Sequence, residues 1–276
     1  MSVRIPNTRL NDGRSMPQLG FGVYQLEEAR TPDIVGRAIR AGYRSIDTAA
    51  IYGNEAGVGR AIREAGVARD EMFVTTKLWN DDQGLDATRR AFDESLRKLG
   101  LDRVDLYLIH WPCPEKGLFV ETWKELIRFR EDGRAGSIGV SNFTPAHLQR
   151  LVSETGIVPA VNQIELHPHF QQAALRQAHA RHGIVTESWS PLGQGRELAD
   201  PVLVEIGRAH GRSPAQVSLR WHVQNGLVAI PKTATPSRIA ENLAVFDFEL
   251  GPDEMRRIAG LDRPDGRIGP DPDRFA

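Results

Sequence analysis

Short apolar runs alternate along this chain with longer segments in which apolar residues recur every three or four positions. The continuous runs are typical of buried strands, and the longer spacing is typical of amphipathic helices. Apolar residues occupy both faces of the runs, which suits parallel strands covered by helices. The predicted strands are LGFGVY (19–24), SIDTA (45–49), MFVTTKL (72–78), VDLYLIH (104–110), SIGVSN (137–142), AVNQIEL (160–166), IVTESWS (184–190) and LVAIPK (227–232).

A helical segment follows each predicted strand, and several of these segments begin at Ser-Pro or Thr-Pro and end at glycine. Serine or threonine caps a helix, proline fits its first turn and glycine ends it, so the boundaries are well marked. Asn54 is expected to cap the second helix, with Glu55 in the first turn where the helix dipole favours a carboxylate. The segments are 31–42, 54–66, 87–100, 119–133, 144–156, 172–183, 213–226 and 235–246, and two further helices are predicted at 199–211 and 251–261.

Eight strand-helix units in 276 residues predict an α/β fold, a closed (β/α)8 TIM barrel that forms a single domain over residues 1–276. An open, doubly wound sheet is the alternative that the pattern leaves open. Residues 3–17 predict a β-hairpin, which should cap the barrel because two strands alone are not stable. The tail, 263–276, is rich in Pro, Asp and Gly and predicts a loop over one end of the barrel.

The composition excludes several classes of partner. A net charge of -1 and scattered basic residues give no field for nucleic acid, so none is expected. Cys113 is the only cysteine, which excludes an internal disulfide, and without an activating partner it is interpreted as a loop residue rather than a catalytic thiol. No apolar run approaches the ~20 residues of a membrane span, so no membrane partner is expected. We therefore expect a cytoplasmic monomer.

Candidate catalytic side chains follow three consecutive predicted strands. Asp47 and Tyr52 follow the second strand, Lys77 ends the third and His110 ends the fourth. Barrel enzymes carry their chemistry on the loops after the strands, so these side chains should converge. A buried lysine would bring the pKa of the tyrosine towards working pH, and the carboxylate would hold that lysine. A neutral histidine could orient a carbonyl oxygen while the phenol protonates it.

Each of these residues also has an ordinary structural interpretation, since single loop tyrosines and histidines are usually packing residues. Their joint placement at neighbouring strand ends favours catalysis, but the residues alone leave both interpretations open. A hydrolase or isomerase that uses Asp47 and His110 is a second catalytic alternative. A third is a regulatory subunit that binds a nicotinamide nucleotide with negligible turnover, which the complete set of four side chains disfavours.

The chain resembles the aldo-keto reductase family, and within it the bacterial subgroup typified by 2,5-diketo-D-gluconic acid reductases. The matching stretches run in the family's order across most of the chain, and the family's tetrad falls on the four residues above. The resemblance implies NADPH-dependent reduction of aldehydes and ketones, small dicarbonyls and keto-sugar acids such as 2,5-diketo-D-gluconate, with Tyr52 as general acid. The stretches are GYRSIDTAAIYGNE (42–55), VTTKLWN (74–80), VDLYLIHWP (104–112), SIGVSNF (137–143), VNQIELHP (161–168), ESWSPLGQG (187–195) and PKTATPSRIAEN (231–242).

No Rossmann fingerprint is present, because the Gly-x-Gly sequences at 20–22 and 57–59 do not continue with the third glycine. The resemblance implies a different cofactor site. It assigns the carboxamide to the hydroxyl and amide groups of residues 141, 142 and 163, the stacking platform to residue 189, and the 2′-phosphate to residues 232, 233 and 238. The complete implied set is Gly22, Val23, Ser141, Asn142, Gln163, Trp189, Ser190, Leu192, Gly193, Gln194, Lys232, Thr233, Arg238, Glu241 and Asn242.

Aromatic residues next to the catalytic positions are expected to line the substrate pocket. They are Phe21, Tyr24, Trp79, Trp111 and Phe143, together with His110. Two further histidine pairs have simpler explanations than a metal site. The first pair, 167 and 169, lacks a suitably spaced third ligand. The second pair, 179 and 182, is interpreted as a charged helix end.

Overall fold

Eight parallel strands follow one another in chain order around a single sheet in the computed structural model, which describes residues 5–275. Each strand is hydrogen-bonded to the next one in the sequence, as the sequential winding of strand-helix units requires. All eight lie within the predicted runs or within two residues of them. The strands are β3 (Phe21–Gly22), β4 (Ser45–Asp47), β5 (Phe73–Leu78), β6 (Val104–Ile109), β7 (Ala135–Ser141), β8 (Val161–Glu165), β9 (Val185–Trp189) and β10 (Val228–Ala229).

The first and last of these strands meet, which closes the sheet. Leu19 pairs with Ala229 in parallel, the amide of Gly20 donates to the Ala229 carbonyl at 2.9 Å, and the Ala229 amide donates to the Gln18 carbonyl at 3.1 Å. The predicted (β/α)8 barrel is therefore confirmed, and the open sheet is wrong. Closure places the carboxyl ends of all eight strands around one rim.

A small hairpin covers the amino end of the barrel. Its strands, β1 (Asn7–Arg9) and β2 (Ser15–Pro17), pair antiparallel. Leu10 and Met16 are buried together with Phe73, the first residue of β5, so the hairpin fills the end opposite the catalytic rim. The predicted hairpin is confirmed over the described residues, whereas its first two positions, 3 and 4, lie outside them.

Ten helices surround the barrel within the described part of the chain, and both predicted extra helices, α7 and α10, are among them. Thr-Pro and Ser-Pro sequences begin several of these helices, and the Ser213 hydroxyl accepts from the Gln216 amide and caps α8 (Pro214–Gln224). None of the helices in residues 5–275 is both long and apolar enough to cross a membrane. The helices are α1 (Thr31–Ala41), α2 (Glu55–Glu64), α3 (Leu85–Leu99), α4 (Phe119–Glu131), α5 (Pro145–Thr155), α6 (Ala173–His182), α7 (Pro201–His210), α8 (Pro214–Gln224), α9 (Pro236–Leu243) and α10 (Pro252–Ala259).

Candidate active site

The four predicted catalytic residues meet at the carboxyl rim of the barrel. Asp47 is the last residue of β4, Lys77 lies near the end of β5, and His110 directly follows β6. Tyr52 ends a short 3₁₀ turn that follows β4. Adjacent parallel strands deliver their ends to the same place, so the winding of the chain alone brings these side chains together.

A buried ion pair forms the centre of this group. Lys77 Nζ donates to Asp47 Oδ1 at 2.6 Å and to the Thr48 carbonyl at 2.8 Å, and the lysine side chain is fully buried. Burial lowers the pKa of Lys77, but the charge of Asp47, its hydrogen bond to the lysine and the neighbouring Tyr52 phenol outweigh burial, so this pKa is raised. The ammonium group therefore stays charged beside the Tyr52 ring, whose centroid lies 5.1 Å from Nζ.

The acidity of Tyr52 differs from the expectation. Burial raises the pKa of its phenol more than Lys77 lowers it, which brings this pKa to about 12. We expected the lysine to dominate, but sequence spacing carries no information about how strongly a side chain is desolvated. Tyr52 therefore keeps its proton at neutral pH. The charged ammonium group of Lys77 can stabilise the phenolate that forms when this proton is transferred.

His110 is neutral, as expected. It is 8% exposed, and burial together with the charge of Lys77 lowers its pKa well below the usual value. Its ring lies edge-on to the Tyr52 ring with 5.7 Å between centroids. A neutral imidazole in this place can donate a hydrogen bond to a carbonyl oxygen without competing with the phenol as an acid.

The Asn54 side chain does not cap α2 as predicted but joins two loops. The residue occupies the position before α2, but its side chain makes no capping bond. Its amide nitrogen donates to the carbonyls of Val23 at 2.9 Å and Leu26 at 3.1 Å, and its oxygen accepts from Thr48 Oγ1 at 2.7 Å. These bonds tie the loop after β3 to the loop that carries Tyr52. The sequence analysis missed this role because its partners lie far away in the chain.

The predicted carboxamide-binding residues lie beside the tetrad. Asn142 Nδ2 donates to Ser141 Oγ at 3.0 Å, and Trp189 Nε1 donates to Asn142 Oδ1 at 2.8 Å. Gln163 Nε2 donates to Asp47 Oδ2 at 2.8 Å, which links this second group directly to the catalytic ion pair. Hydroxyl and amide groups of this kind match a carboxamide, which both donates and accepts hydrogen bonds.

The segment after β9 adopts the compact turn expected of a nucleotide-covering loop. Ser190 and Gln194 have left-handed φ values of 47° and 53°, which few residues other than glycine adopt. The amide of Gly193 donates to the Ser190 carbonyl at 2.9 Å, and that of Gly195 donates to the Leu192 carbonyl at 2.8 Å. The turn directly follows β9, at the carboxyl end of the barrel where the segment that covers the pyrophosphate is expected.

Two exposed cations lie at the predicted phosphate pocket. Within residues 5–275, neither Lys232 nor Arg238 forms an ion pair or a side-chain hydrogen bond, and Arg238 lies in the first turn of α9. Thr233 Oγ1 accepts from the Thr235 amide at 3.0 Å. Gly22 lies close by, because a Cβ atom there would lie 3.0 Å from the Ile230 carbonyl oxygen. The donor set therefore fits a nucleotide phosphate.

The remaining predicted cofactor residues are buried or form hydrogen bonds within the protein. The Val23 side chain is buried, and its amide donates to the Asp47 carbonyl at 3.1 Å. Glu241 accepts a hydrogen bond from Ser213 Oγ at 2.5 Å, so it also holds the start of α8. Asn242 is 4% exposed.

Aromatic side chains surround the space above the tetrad. Tyr24 is 54% exposed and lies 5.0 Å from Tyr52 between ring centroids, while Trp79 packs edge-on against His110 at 5.3 Å. Trp111 faces Phe275 of the tail at 4.6 Å. These rings form a wall suited to small, partly apolar compounds.

The prediction that Phe21 and Phe143 line the substrate pocket is wrong. Phe21 is fully buried against Tyr43, and Phe143 is fully buried against Phe119 of α4. Both rings belong to the buried apolar core rather than to the rim. Phe275 is a wall residue that the sequence analysis missed, because nothing in an aperiodic tail shows where its end lies.

The tail crosses the carboxyl rim as predicted over its described part, residues 263–275. The amides of Ile268 and Gly269 donate to the Glu165 carboxylate at 2.5 and 2.8 Å. A Cβ atom at Gly269 would lie 2.5 Å from the Trp189 ring, so only glycine permits this approach. The tail therefore contacts both the predicted nicotinamide platform and, through Phe275, the aromatic wall.

The His167 side chain lies between two buried carboxylates. Its ring nitrogens lie 3.1 Å from Glu197 and 3.3 Å from Glu165, and His169 pairs with Asp200 at 2.9 Å. Among the described residues, no cluster of histidine, cysteine and acidic side chains has the arrangement of a metal site. Burial lowers the pKa of His167, but its bonds to both carboxylates outweigh burial and raise this pKa to about 9.

Protein stability should therefore depend on the protonation of His167. Because its folded pKa of about 9 exceeds an unfolded value of about 6.5, its contribution is complete below about pH 6.5 and is lost as pH rises through 9. Between these limits the wild type should lose about 3 kcal/mol more unfolding free energy than His167→Gln. Urea unfolding at several pH values measures this difference, and parallel pH profiles for the two proteins would contradict the prediction.

The structure also bears on the predictions for His179 and Cys113. His179 is not part of a charged helix end, because it is 1% exposed and its ring bonds to Asn162 and Thr186, each at 2.8 Å. Burial lowers its pKa to about 4. Cys113 is a fully buried loop residue with a left-handed φ of 43°, and burial raises the pKa of its thiol to about 11.

The similarity of this chain to known proteins agrees with the geometry. Residues 18–263 match the model of the aldo/keto reductase family. An aldo-keto reductase of Mycolicibacterium smegmatis is 56% identical over 270 residues, which is 98% of each chain. The methylglyoxal reductase DkgA of Salmonella typhimurium is 53% identical over 269 residues, which is 97% of each chain.

A solved structure extends this similarity to the fold. The crystal structure of a Gox0644 mutant in complex with NADPH superposes with a TM-score of 0.96 at 51% identity and covers 99% of each chain. Sequence and structure agree over almost the whole length, and at identities far above those at which only the fold is shared. The chain therefore belongs to the aldo/keto reductase family and is an oxidoreductase of carbonyl and alcohol groups.

Proposed function

We propose that this protein reduces small aldehydes and ketones with NADPH and that Tyr52 is the proton donor. The observation that carries the proposal is the position of the Tyr52 ring, whose centroid lies 5.1 Å from Lys77 Nζ and 5.7 Å from the centroid of the His110 ring. The raised pKa of Tyr52 and the lowered pKa of His110 fit a proton donor beside a neutral imidazole. Similarity to a methylglyoxal reductase and to a protein crystallised with NADPH supports both the reaction and the cofactor.

NADPH, when bound, supplies the hydride that the carbonyl carbon receives. Ser141, Asn142 and Gln163, which lie beside the tetrad, would bind its carboxamide, and the partly exposed ring of Trp189 would offer the stacking surface. Lys232, Thr233 and Arg238 are the residues for the 2′-phosphate. The turn at 190–195 would cover the pyrophosphate, and Glu241 and Asn242 would contact the adenine.

The electrostatics of the tetrad explain how the proton is transferred from Tyr52 to the substrate. As the carbonyl oxygen gains negative charge it becomes a stronger base, and Tyr52 transfers its proton to it. Lys77, held by Asp47, stabilises the resulting phenolate, which offsets the penalty of burial. His110 fixes the oxygen by a hydrogen bond, so the alcohol forms within reach of the phenol.

The aromatic wall favours small dicarbonyls and keto-sugar acids. Tyr24, Trp79, Trp111 and Phe275 provide broad apolar surfaces and few fixed polar contacts. Such walls distinguish substrates weakly, by about 1–3 kcal/mol per methylene group. We propose methylglyoxal and 2,5-diketo-D-gluconate as the first compounds to test, since the resemblance and a relative's name indicate these two classes.

An absorbance assay of NADPH oxidation tests the proposal. Purified protein with methylglyoxal, 2,5-diketo-D-gluconate or simple aldehydes should oxidise NADPH only when a carbonyl compound is present. Tight NADPH binding without turnover on any of them would instead favour the regulatory-subunit alternative. We also propose that the enzyme is a cytoplasmic monomer with one domain, and sedimentation equilibrium with a mass above 30.7 kDa would contradict the monomer.

Replacing Arg238 with alanine should weaken NADPH binding selectively. Loss of one charged hydrogen bond, worth about 1.5–3 kcal/mol, raises the NADPH dissociation constant about 10- to 100-fold. Binding of NADH, which lacks the 2′-phosphate, should change by less than about twofold. Arg257→Ala, an exposed arginine of α10 paired with Glu205, is the matched control. Equal weakening of both nucleotides would contradict the assigned phosphate pocket.

A further inference from the structure

A second buried carboxylate lies directly behind the catalytic ion pair. Glu187 on β9 stands opposite Gln163 on the neighbouring strand β8, and it is 1% exposed. Gln163 Nε2 donates to Glu187 Oε2 at 2.8 Å and to Asp47 Oδ2 at 2.8 Å. One amide nitrogen therefore bridges two carboxyl groups.

If both carboxyl groups were ionised, the hydrogen-bond donors around this bridge would not satisfy all of their oxygens. Asp47 has a donor for each oxygen, since Lys77 binds Oδ1 and Gln163 binds Oδ2. Glu187 Oε1 is buried and has no hydrogen-bond partner among residues 5–275. An ionised carboxylate with an unpaired buried oxygen is costly, whereas the neutral acid avoids most of that cost.

The charged groups that face Glu187 come from two strands. Asp47 on β4 opposes its ionisation and Lys77 on β5 favours it, while its other strand neighbour, Val228 of β10, is apolar. Burial and the charge of Asp47 raise the pKa of Glu187 to about 8, against the lowering effects of Gln163 and Lys77. Near neutral pH the neutral acid is therefore the main form.

We propose that Glu187 is a positioning residue of the tetrad that carries a proton in the active enzyme, leaving Asp47 as the single negative charge beside Lys77. This proposal rests on the proposed role of Tyr52. Ionisation of Glu187 would add a second negative charge beside the Asp47–Lys77 pair, and so weaken the stabilisation that Lys77 gives to the phenolate of Tyr52. Gln163, whose two amide hydrogens both bind carboxyl groups, keeps its oxygen free to accept from the carboxamide.

The pH profile of Glu187→Gln tests the proposal. Glutamine keeps the size of the side chain and still accepts from Gln163, but it cannot ionise. With saturating NADPH, the wild-type kcat should fall above the Glu187 pKa of about 8. The variant should lose this alkaline decrease, so that at about one pH unit above that pKa it keeps about tenfold more of its own neutral activity than the wild type keeps of its own. Identical profiles in the two proteins would overturn the proposal.

A matched variant controls for a general effect of removing a buried acid. Glu55 on α2 is 2% exposed and accepts from Thr76 Oγ1 at 2.6 Å, outside the site. Glu55→Gln should keep the alkaline decrease of the wild type. If Glu55→Gln abolishes the decrease as Glu187→Gln does, the assignment to Glu187 is wrong.

Infrared spectroscopy observes the proton directly and needs no variant that folds. Wild-type protein labelled with ¹³C-glutamate should show a protonated carboxylic acid band at neutral pH that shifts with the label and disappears as pH rises through about 8. Absence of a glutamate-derived band would overturn the proposal. A wild-type protein that shows the band but no carbonyl-dependent NADPH oxidation would contradict the proposed function instead, which keeps the two failures distinct.

Discussion

Replacing Tyr52 with phenylalanine should remove almost all carbonyl reduction. The variant keeps the ring that packs against His110 and Tyr24 but has no proton to give, and general acid catalysis is worth about 10²- to 10⁴-fold in kcat. NADPH binding should change little, because the cofactor residues are untouched. Stopped-flow measurement of kcat together with fluorescence titration of NADPH separates the two effects.

Tyr24→Phe is the matched control for this variant. The Tyr24 ring lies 5.0 Å from the Tyr52 ring between centroids and the residue is 54% exposed, but no lysine among residues 5–275 lies over its ring as Lys77 lies over that of Tyr52. Loss of the Tyr24 hydroxyl should lower kcat by less than about threefold. If Tyr52→Phe retained kcat within tenfold of wild type while Tyr24→Phe did not, Tyr24 rather than Tyr52 would be the proton donor.

Replacing Lys77 with methionine should damage both stability and activity. The change leaves Asp47, whose side chain is 3% exposed, as an unpaired buried charge, which typically costs about 3–5 kcal/mol of unfolding free energy. The phenolate of Tyr52 also loses its cation, so kcat should fall at least as far as in the tyrosine variant. Guanidinium unfolding and steady-state kinetics at neutral pH measure these effects.

A double variant separates stability from chemistry. Lys77→Met combined with Asp47→Leu replaces the ion pair with apolar side chains, and such replacements are often neutral or stabilising. The double variant should therefore recover most of the lost unfolding free energy and none of the activity. Wild-type stability in the single variant would show that Asp47 does not depend on the lysine for its charge.

Much of the architecture could be predicted because its signals are local. The apolar runs, the Ser-Pro and Thr-Pro starts and the glycine ends each concern a few neighbouring residues, and they marked all eight barrel strands and all ten helices. The positions of Asp47, Tyr52, Lys77 and His110 at strand ends followed from the same pattern. Barrel topology then brings strand ends together whatever lies between them.

The features that the sequence did not show depend on distant partners. Asn54 was expected to cap a helix, but its side chain bonds to a loop 28 and 31 residues earlier. Nothing in the sequence distinguishes Glu187 from other strand residues, because its link to Asp47 through Gln163 exists only in the folded barrel. Phe275 lies in an aperiodic tail whose course no local pattern determines. The acidity of Tyr52 was misjudged for a related reason, since burial is a property of the whole fold.

The burial of Cys113 has a chemical consequence for an enzyme that handles dicarbonyls. Aldehydes and dicarbonyls are electrophiles, and the thiolate of cysteine is the protein nucleophile most readily consumed by them. The only thiol of this chain is fully buried, and its raised pKa of about 11 leaves little thiolate at neutral pH. The protein therefore offers its proposed substrates no ready cysteine adduct, and prolonged turnover should not inactivate it by that route.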